Sequence, residues 1–363
     1  MKLEPLDLEV WLGSPRKYDL GSGGITRLKL KDIVDVLDPD LVITCGKIEG
    51  SDQIRERVAS LFRNVEKNQV LITNATSEAN FLALYRLLEK EDEVVTLLPS
   101  YMQCAGLARS LGVKVKNCAL QEEENYGLNL EDMKRLVTKK TKVIYIVNPN
   151  NPTGSIVFES EMKAICEIAE DSDSWVLCDG AMRGLEIDGN PSPSSVEIYP
   201  KGIATGSLSK MGLPGLRIGW MIADERLVED CAAYKDYTTQ GHSGIGEYLA
   251  TIALEKKNVQ RYLERARSMI REHSEILSQW ISNNHHFSWV PPKAGHTAFV
   301  KYDLDLDSAE FCRRLLQEES VLIGPGDFFG SPEHLRVRYS CEKQELIEGL
   351  KRLGEFLARL SKR

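Results

Sequence analysis

The chain of 363 residues has no excess of positive charge: 46 Lys and Arg stand against 54 Asp and Glu, a net charge of -8. A basic face for nucleic acid or an anionic membrane is therefore not expected. No run approaches the ~20 apolar residues that a bilayer span needs. Residues 1–10 alternate charged and apolar side chains without the apolar stretch of a secretion signal. Paired cysteines are missing too. Cys45, Cys104, Cys118, Cys166, Cys178, Cys231, Cys312 and Cys341 are scattered, and none forms a CxxC pair. Neither a metal site nor a disulfide framework is expected, and reduced thiols in a cytoplasm follow. With 27 Gly and 14 Pro the chain is too poor in both to be of low complexity. What is present is an ordinary globular balance, 42% hydrophobic and 28% charged. The length suits one large or two moderate domains.

Residues 1–40 read as an irregular arm, with Gly21, Gly23 and Gly24 crowded into four positions. Residues 51–62 place Ile54, Val58, Leu61 and Phe62 at helical spacing, and residues 78–88 form another apolar-rich helix. Short apolar runs follow at 94–98, 143–147, 175–178, 203–205 and 218–222, each of strand length, with a helical stretch at 159–169 between them. The alternation predicts an α/β fold: a mostly parallel sheet with helices on both faces. Beyond residue 225 long helical stretches (248–254, 262–281) precede strands at 297–302 and 334–339 and helices at 308–317 and 342–360. That pattern predicts a smaller α+β unit. The expected division is an arm at 1–40, a large domain at 41–250 and a small C-terminal domain at 251–363.

Four segments carry chemistry. Residues 147–154 (Val-Asn-Pro-Asn-Asn-Pro-Thr-Gly) follow a strand and are turn formers, so a loop is expected there whatever its function. Asp179 ends the buried strand 175–178, where a carboxylate either caps the next element or faces a ligand at the strand's carboxyl end. In residues 205–217, Ser207 and Ser209 flank Lys210 among apolar and glycine residues, with Arg217 seven positions on. A lysine so placed can lose hydration and become a usable amine nucleophile, the alternative being a solvated loop with incidental charges. The hydroxyls and guanidinium suit a phosphate. Ala75, Thr76 and Ser77 open a helix, where backbone amides bind phosphate or the hydroxyls simply cap.

Together and in this order the segments resemble the fold-type I pyridoxal-phosphate enzymes of the class I/II aminotransferase family, with Leu335, Arg336 and Val337 as a further mark. The resemblance implies a large domain with a mostly parallel sheet, a smaller α+β C-terminal domain, and pyridoxal 5'-phosphate as cofactor. It implies that Lys210 joins the cofactor aldehyde and later shuttles the Cα proton. Asp179 would pair with the pyridine nitrogen, Asn151 would donate to the phenolic oxygen, and Tyr101 would stack on the ring. Ala75, Thr76, Ser77, Ser207, Ser209 and Arg217 would hold the phosphate. Arg336 would take the substrate α-carboxylate as a two-pronged pair. The resemblance further implies an amino-acid substrate and a homodimer.

Three departures stand out. The family's Asp-x-x-Tyr is here Asp179-Gly-Ala-Met182, and a thioether cannot donate a hydrogen bond. A Tyr that reaches the neighbouring subunit's phosphate is replaced by Cys45. The spacing from Lys210 to Arg217 is one residue shorter than usual. Gly180 with Ala181, residues 208–217, the Gly/Ser segment 21–24 and residues 235–239 are similar to the branch of capreomycidine synthase and the enduracididine-forming cyclases. That branch acts on hydroxylated arginine, expels the side-chain hydroxyl and closes a guanidino ring. Cyclisation and ordinary transamination both remain open on this reading. His242 and His296, in loops beside the site, are candidates for the acid that meets the departing hydroxyl. Asp19 and residues 21–24, Gly24 among them, are candidates for a lid over substrate.

Overall fold

The computed structural model describes residues 3–360. Among them, eight strands form one sheet in the order Val70–Thr73, Gly219–Ile222, Gly202–Ser207, Trp175–Asp179, Thr141–Val147, Glu93–Leu98, Lys114–Gln121, Gly127–Leu128. From Gly202–Ser207 to Lys114–Gln121 the strands run parallel. The remaining pairings are antiparallel.

Strand periodicity explains why the central runs are continuously apolar. Val143, Tyr145, Val147 and Leu177 face the helix Ala75–Leu87 and share a core with its Ala79, Leu82 and Ala83. Ile144, Ile146, Val176 and Cys178 point the other way, onto Met162, Ile165 and Ala169 of the helix Glu159–Ser172. With both faces covered, positions 143–147 and 176–179 are all buried.

A second, antiparallel sheet takes Phe287–Trp289, Thr297–Tyr302, His334–Arg338 and Gly324–Pro325 in that order. It packs with the helices Lys256–Ser282, Ser308–Glu319 and Lys343–Leu360 around Ile270, Leu277, Phe311 and Phe356. The N-terminal arm is more ordered than its sequence suggests. It begins with the helix Asp7–Leu12, and Tyr18–Asp19 pairs in parallel with Val321–Leu322. The Trp11 indole donates to the Ile323 carbonyl (2.7 Å), and the Arg338 N–H donates to the Leu20 carbonyl (2.7 Å). The arm's apolar residues come singly and dock one at a time, so no periodic run announces them.

Among the described residues, no helix is long and apolar enough to cross a membrane. No cluster of His, Cys, Asp and Glu there could hold a metal ion, and the cysteines are free thiols.

Candidate active site

Three parallel strands deliver the site. Their register aligns Val147 with Asp179 and Asp179 with Thr205, so Thr141–Val147, Trp175–Asp179 and Gly202–Ser207 end at one edge of the sheet. Ligands gather at such carboxyl edges. The loop 148–154, Asp179 and the turn Leu208–Met211 wall a cavity of about 590 Å3 there. Arg336 joins from the strand His334–Arg338 of the smaller sheet and His296 from just ahead of its strand Thr297–Tyr302, and Glu9, Ser22 and Gly23 join from the arm.

Asp179 is buried and points to the same sheet face as Leu177 and Tyr145. Its Oδ2 accepts from Asn80 Nδ2 (2.7 Å) and from the Tyr145 hydroxyl (2.9 Å), and its Oδ1 accepts from the Ala181 N–H (3.0 Å). Thr205 in turn donates to Asn80 Oδ1 (2.7 Å), which fixes the amide's orientation. Burial raises the Asp179 pKa, while the hydrogen bonds from Asn80, Ala181 and Tyr145 and the charge of Lys210 oppose it. Such a carboxylate gains most from a cation brought against it.

Lys210 stands in the middle of the cavity wall. Burial lowers its ammonium pKa to about 8, and the Arg336 charge adds to the effect, against Glu9 and Asp179. A free amine is therefore accessible near neutral pH. Gly23 lies directly over it: a methyl there would meet Lys210 Nζ at 3.1 Å and His296 Cε1 at 3.6 Å.

On the side of Arg217 is a cup. The helix Ala75–Leu87 begins with Ala75 at φ 66° and has no side-chain cap. Thr76 and Ser77 thus do not cap it, and the Thr76 Oγ1 is buried without a partner. Open amides at a helix start, an orphan hydroxyl, Ser207, Ser209 and Arg217 all line the cavity. Gly219 permits this approach, because a Cβ there would come within 2.6 Å of the Ala75 Cα.

Arg336 is fully buried. It donates to the Gly21 carbonyl (2.5 Å) and to Asn151 Oδ1 (3.4 Å), lies 5.0 Å from the Phe329 ring centroid, and has no partner at Nε. Burial lowers its pKa to about 10. Of the loop asparagines, Asn148 and Asn150 knit the loop, through Val157 and Thr153. Asn151 alone of the three lines the cavity. Tyr101 lines it as well, its hydroxyl donating to Glu9 (3.0 Å). Met182, in place of the family's tyrosine, is buried at the wall, where its Sδ leaves no room for a side chain at Gly295.

Two expected site residues lie elsewhere. Gly24 does not line the cavity. It sits at φ 147°, a turn only glycine makes easily, and its carbonyl accepts from Ser340 (2.8 Å). His242 is buried against the Glu247 carboxylate and so is engaged away from this cavity. Burial would raise the Glu247 carboxyl, but hydrogen bonds from His242 and the Ser51 N–H outweigh it and hold it at about 2. His296 does line the cavity, but not as a charged acid. Burial first, then Lys210 and Arg336, push its pKa well below the usual value, so its ring is neutral. Both ring nitrogens are buried without a partner.

Pyridoxal phosphate brings a dianionic phosphate, an aldehyde, a phenolic oxygen and a basic ring nitrogen. The cup with its orphan Thr76 hydroxyl, the low-pKa amine of Lys210, Asn151 and the buried Asp179 fit these groups in turn. Asn80, Tyr145 and Glu9 escaped the sequence reading. The only signal for Asn80 was an amide inside an otherwise apolar helix face.

Over residues 18–353 the chain matches the family described as aminotransferase class I and II. It is 29% identical over 364 residues to capreomycidine synthase of Streptomyces vinaceus, covering 96% of this chain and 93% of that protein. It is 25% identical over 318 residues to an aspartate aminotransferase of Pyrococcus horikoshii, covering 85% and 81%. The crystal structure of a PLP-dependent aminotransferase from Streptococcus suis 89-1591 matches with a TM-score of 0.92 at 34% identity, covering 99% of both chains. The chain belongs to the aminotransferase class I and II family, whose cofactor is pyridoxal phosphate.

Proposed function

We propose that this enzyme takes an amino acid with a hydroxylated arginine-type side chain, expels the hydroxyl and closes a cyclic guanidino amino acid. The observation that carries the reading is His296. Transamination needs one proton shuttle, and this cavity holds two: Lys210 and a neutral imidazole with both nitrogens free. The 29% identity to capreomycidine synthase over nearly the whole chain supports it. So does the loss of the tyrosine donor at Met182.

When bound, pyridoxal phosphate supplies an electron sink that lets the Cα–H bond ionise. Asp179 would keep the ring nitrogen protonated, and the cup of Ala75, Thr76, Ser77, Ser207, Ser209 and Arg217 would anchor the phosphate. Tyr101 would stack on the ring. Arg336 and Asn151 hold the substrate α-carboxylate. Lys210 Nζ takes the Cα proton and, as the ammonium, protonates the hydroxyl leaving Cβ. His296 accepts the proton shed by the guanidine nitrogen that bonds to Cβ and, being the weaker base, passes it to the Lys210 amine, whose ammonium returns a proton to Cα. One water is lost, nothing is oxidised, and no 2-oxo acid is consumed. Glu9 is the cavity's other carboxylate besides Asp179 and sits exposed at its mouth, suited to a cationic side chain. Arg27 also lines the cavity, on a segment tied to Gly212 near the phosphate cup.

We read the working unit as a cytoplasmic homodimer. The exposure of Val36, Val42 and Ile43 beside Cys45 supports a partner on that face.

The second reading is a conventional aminotransferase, favoured by the relatives that bear that name and by a site in which Lys210 and Arg336 suffice. Incubation with hydroxyarginines, with and without a 2-oxo acid, separates the two. Cyclisation gives a product lighter by one water with no acceptor present. A keto acid formed with equimolar amino transfer, and no cyclic product, overturns it.

A further inference from the structure

Residues 235–239 stand out in the sequence, yet none of them lines the cavity. Lys235 is fully buried. Its ammonium donates to the Ile48 carbonyl (2.6 Å) and to the Ile72 carbonyl (2.8 Å), joining the loop before the helix Asp52–Ala59 to the strand Val70–Thr73. That strand leads directly into the cup helix. Lys235 also shapes its own turn, its carbonyl accepting from the N–H groups of Thr238 (2.9 Å) and Gln240 (2.8 Å). The turn presents the Thr238 and Thr239 hydroxyls to Glu78 Oε1, at 2.6 and 2.7 Å. Glu78 stands in the first turn of the cup helix, and its Oε2 accepts from the Asn74 N–H (2.6 Å). The carboxylate thus occupies the donor just ahead of the cup and leaves the next amides open.

We infer that Lys235, Thr238, Thr239 and Glu78 form a positioning device for the cofactor phosphate, acting through the helix start at Ala75–Ser77 without touching the cofactor. Lys235 holds the strand that enters the cup. The two threonines hold Glu78, and Glu78 holds Asn74. The residue at φ 66°, Ala75, is then fixed from behind. A strained backbone position persists only where its surroundings over-determine it. The inference does not depend on whether the substrate is cyclised or transaminated. It rests on the cup being the phosphate site.

The test compares pyridoxal phosphate with pyridoxal, which has the aldehyde and ring but no phosphate. Apoenzyme is titrated with each, and the dissociation constant is read from the cofactor's visible absorbance. In Lys235→Met and in Thr238→Ala/Thr239→Ala the pyridoxal phosphate constant should rise about tenfold, the scale of a hydrogen bond to a charged group. The pyridoxal constant should stay within about twofold. The threonine double variant keeps the buried lysine and serves if Lys235→Met does not fold. A wild-type enzyme that binds both compounds equally contradicts the assignment of the cup. A wild type that prefers the phosphate, with variants that keep the full preference, overturns the positioning role. Thermal unfolding of the apoenzymes, in which a merely structural defect would show, is measured alongside. Loss of affinity for both compounds in proportion overturns the role as well.

Discussion

Replacing Asp179 with Asn tests the electrostatic centre of the site. The carboxylate accepts three hydrogen bonds, two at Oδ2 (Asn80, 2.7 Å; Tyr145, 2.9 Å) and one at Oδ1 (Ala181 N–H, 3.0 Å). A carboxamide must put its NH2 at one of these positions. At Oδ2 it faces the Asn80 amide, whose own oxygen is held by Thr205. At Oδ1 it faces a backbone N–H. Either way a buried donor loses its acceptor, a cost of about 1–3 kcal/mol. On the proposed function, the buried ion pair that Asp179 would make with the ring nitrogen is also broken, worth about 3–5 kcal/mol when one partner is removed. Because that charge is needed most as the Cα–H bond ionises, the second loss falls on the reaction barrier. Asp179→Asn should lower kcat/KM by roughly 10^2 to 10^4, measured under steady state with any accepted amino acid. The variant should still take up cofactor, since the cup and Lys210 are untouched. A variant that binds cofactor and keeps activity within about fivefold of wild type would refute the reasoning.

Arg336→Lys replaces a two-pronged guanidinium with a point charge and should raise KM about 10^2-fold with a smaller change in kcat; an unchanged KM would place the α-carboxylate elsewhere. His296→Asn should slow cyclisation about 10^2-fold, the low end of general acid–base catalysis, while amino transfer from an ordinary amino acid stays within about threefold. Equal losses in both reactions would remove His296 from the proton path. In the apoenzyme Lys210 carries an ammonium depressed to about 8. Below that pH the amine is protonated and cannot attack an aldehyde; above it the free amine is present. Capture of pyridoxal phosphate, followed by stopped-flow absorbance, should therefore accelerate with rising pH through about 8 and then level. In Arg336→Met, which removes a repelling charge, the midpoint should move upward, and a midpoint near 10 in wild type would contradict the desolvated setting.

The parts of the site that lie close together in the chain were legible in the sequence. The loop 148–154, Asp179 and residues 207–217 each follow a β-rich run, and the sheet register then carries all three to one edge. Tyr145 was hidden because it continues an apolar strand, and its hydroxyl acquires meaning only from Asp179 on the neighbouring strand. Asn80 was hidden for the same reason in a helix. Glu9 was hidden because it reaches the cavity through pairing of the arm with residues over 300 positions away, such as Trp11 with Ile323; Gly23 lies in the segment 21–24 that the sequence did single out. His242 read as a candidate because it lies in a loop beside segments expected to border the site. Its partner, Glu247, lies five residues on, where the start of the helix Gly244–Ala253 turns it back. Lys114–Gln121 escaped as a strand because lysines and an asparagine interrupt its apolar positions, which pack mainly at its carboxyl end.

The most direct test of the account is chemical. Holoenzyme is reduced with borohydride, digested and sequenced by mass spectrometry to find the lysine that carries the phosphopyridoxyl group. The amine set between Asp179 and Arg336 predicts the label on Lys210 and its loss in Lys210→Ala. A label found on another lysine, the buried Lys235 included, or wild-type activity in Lys210→Ala, would contradict it.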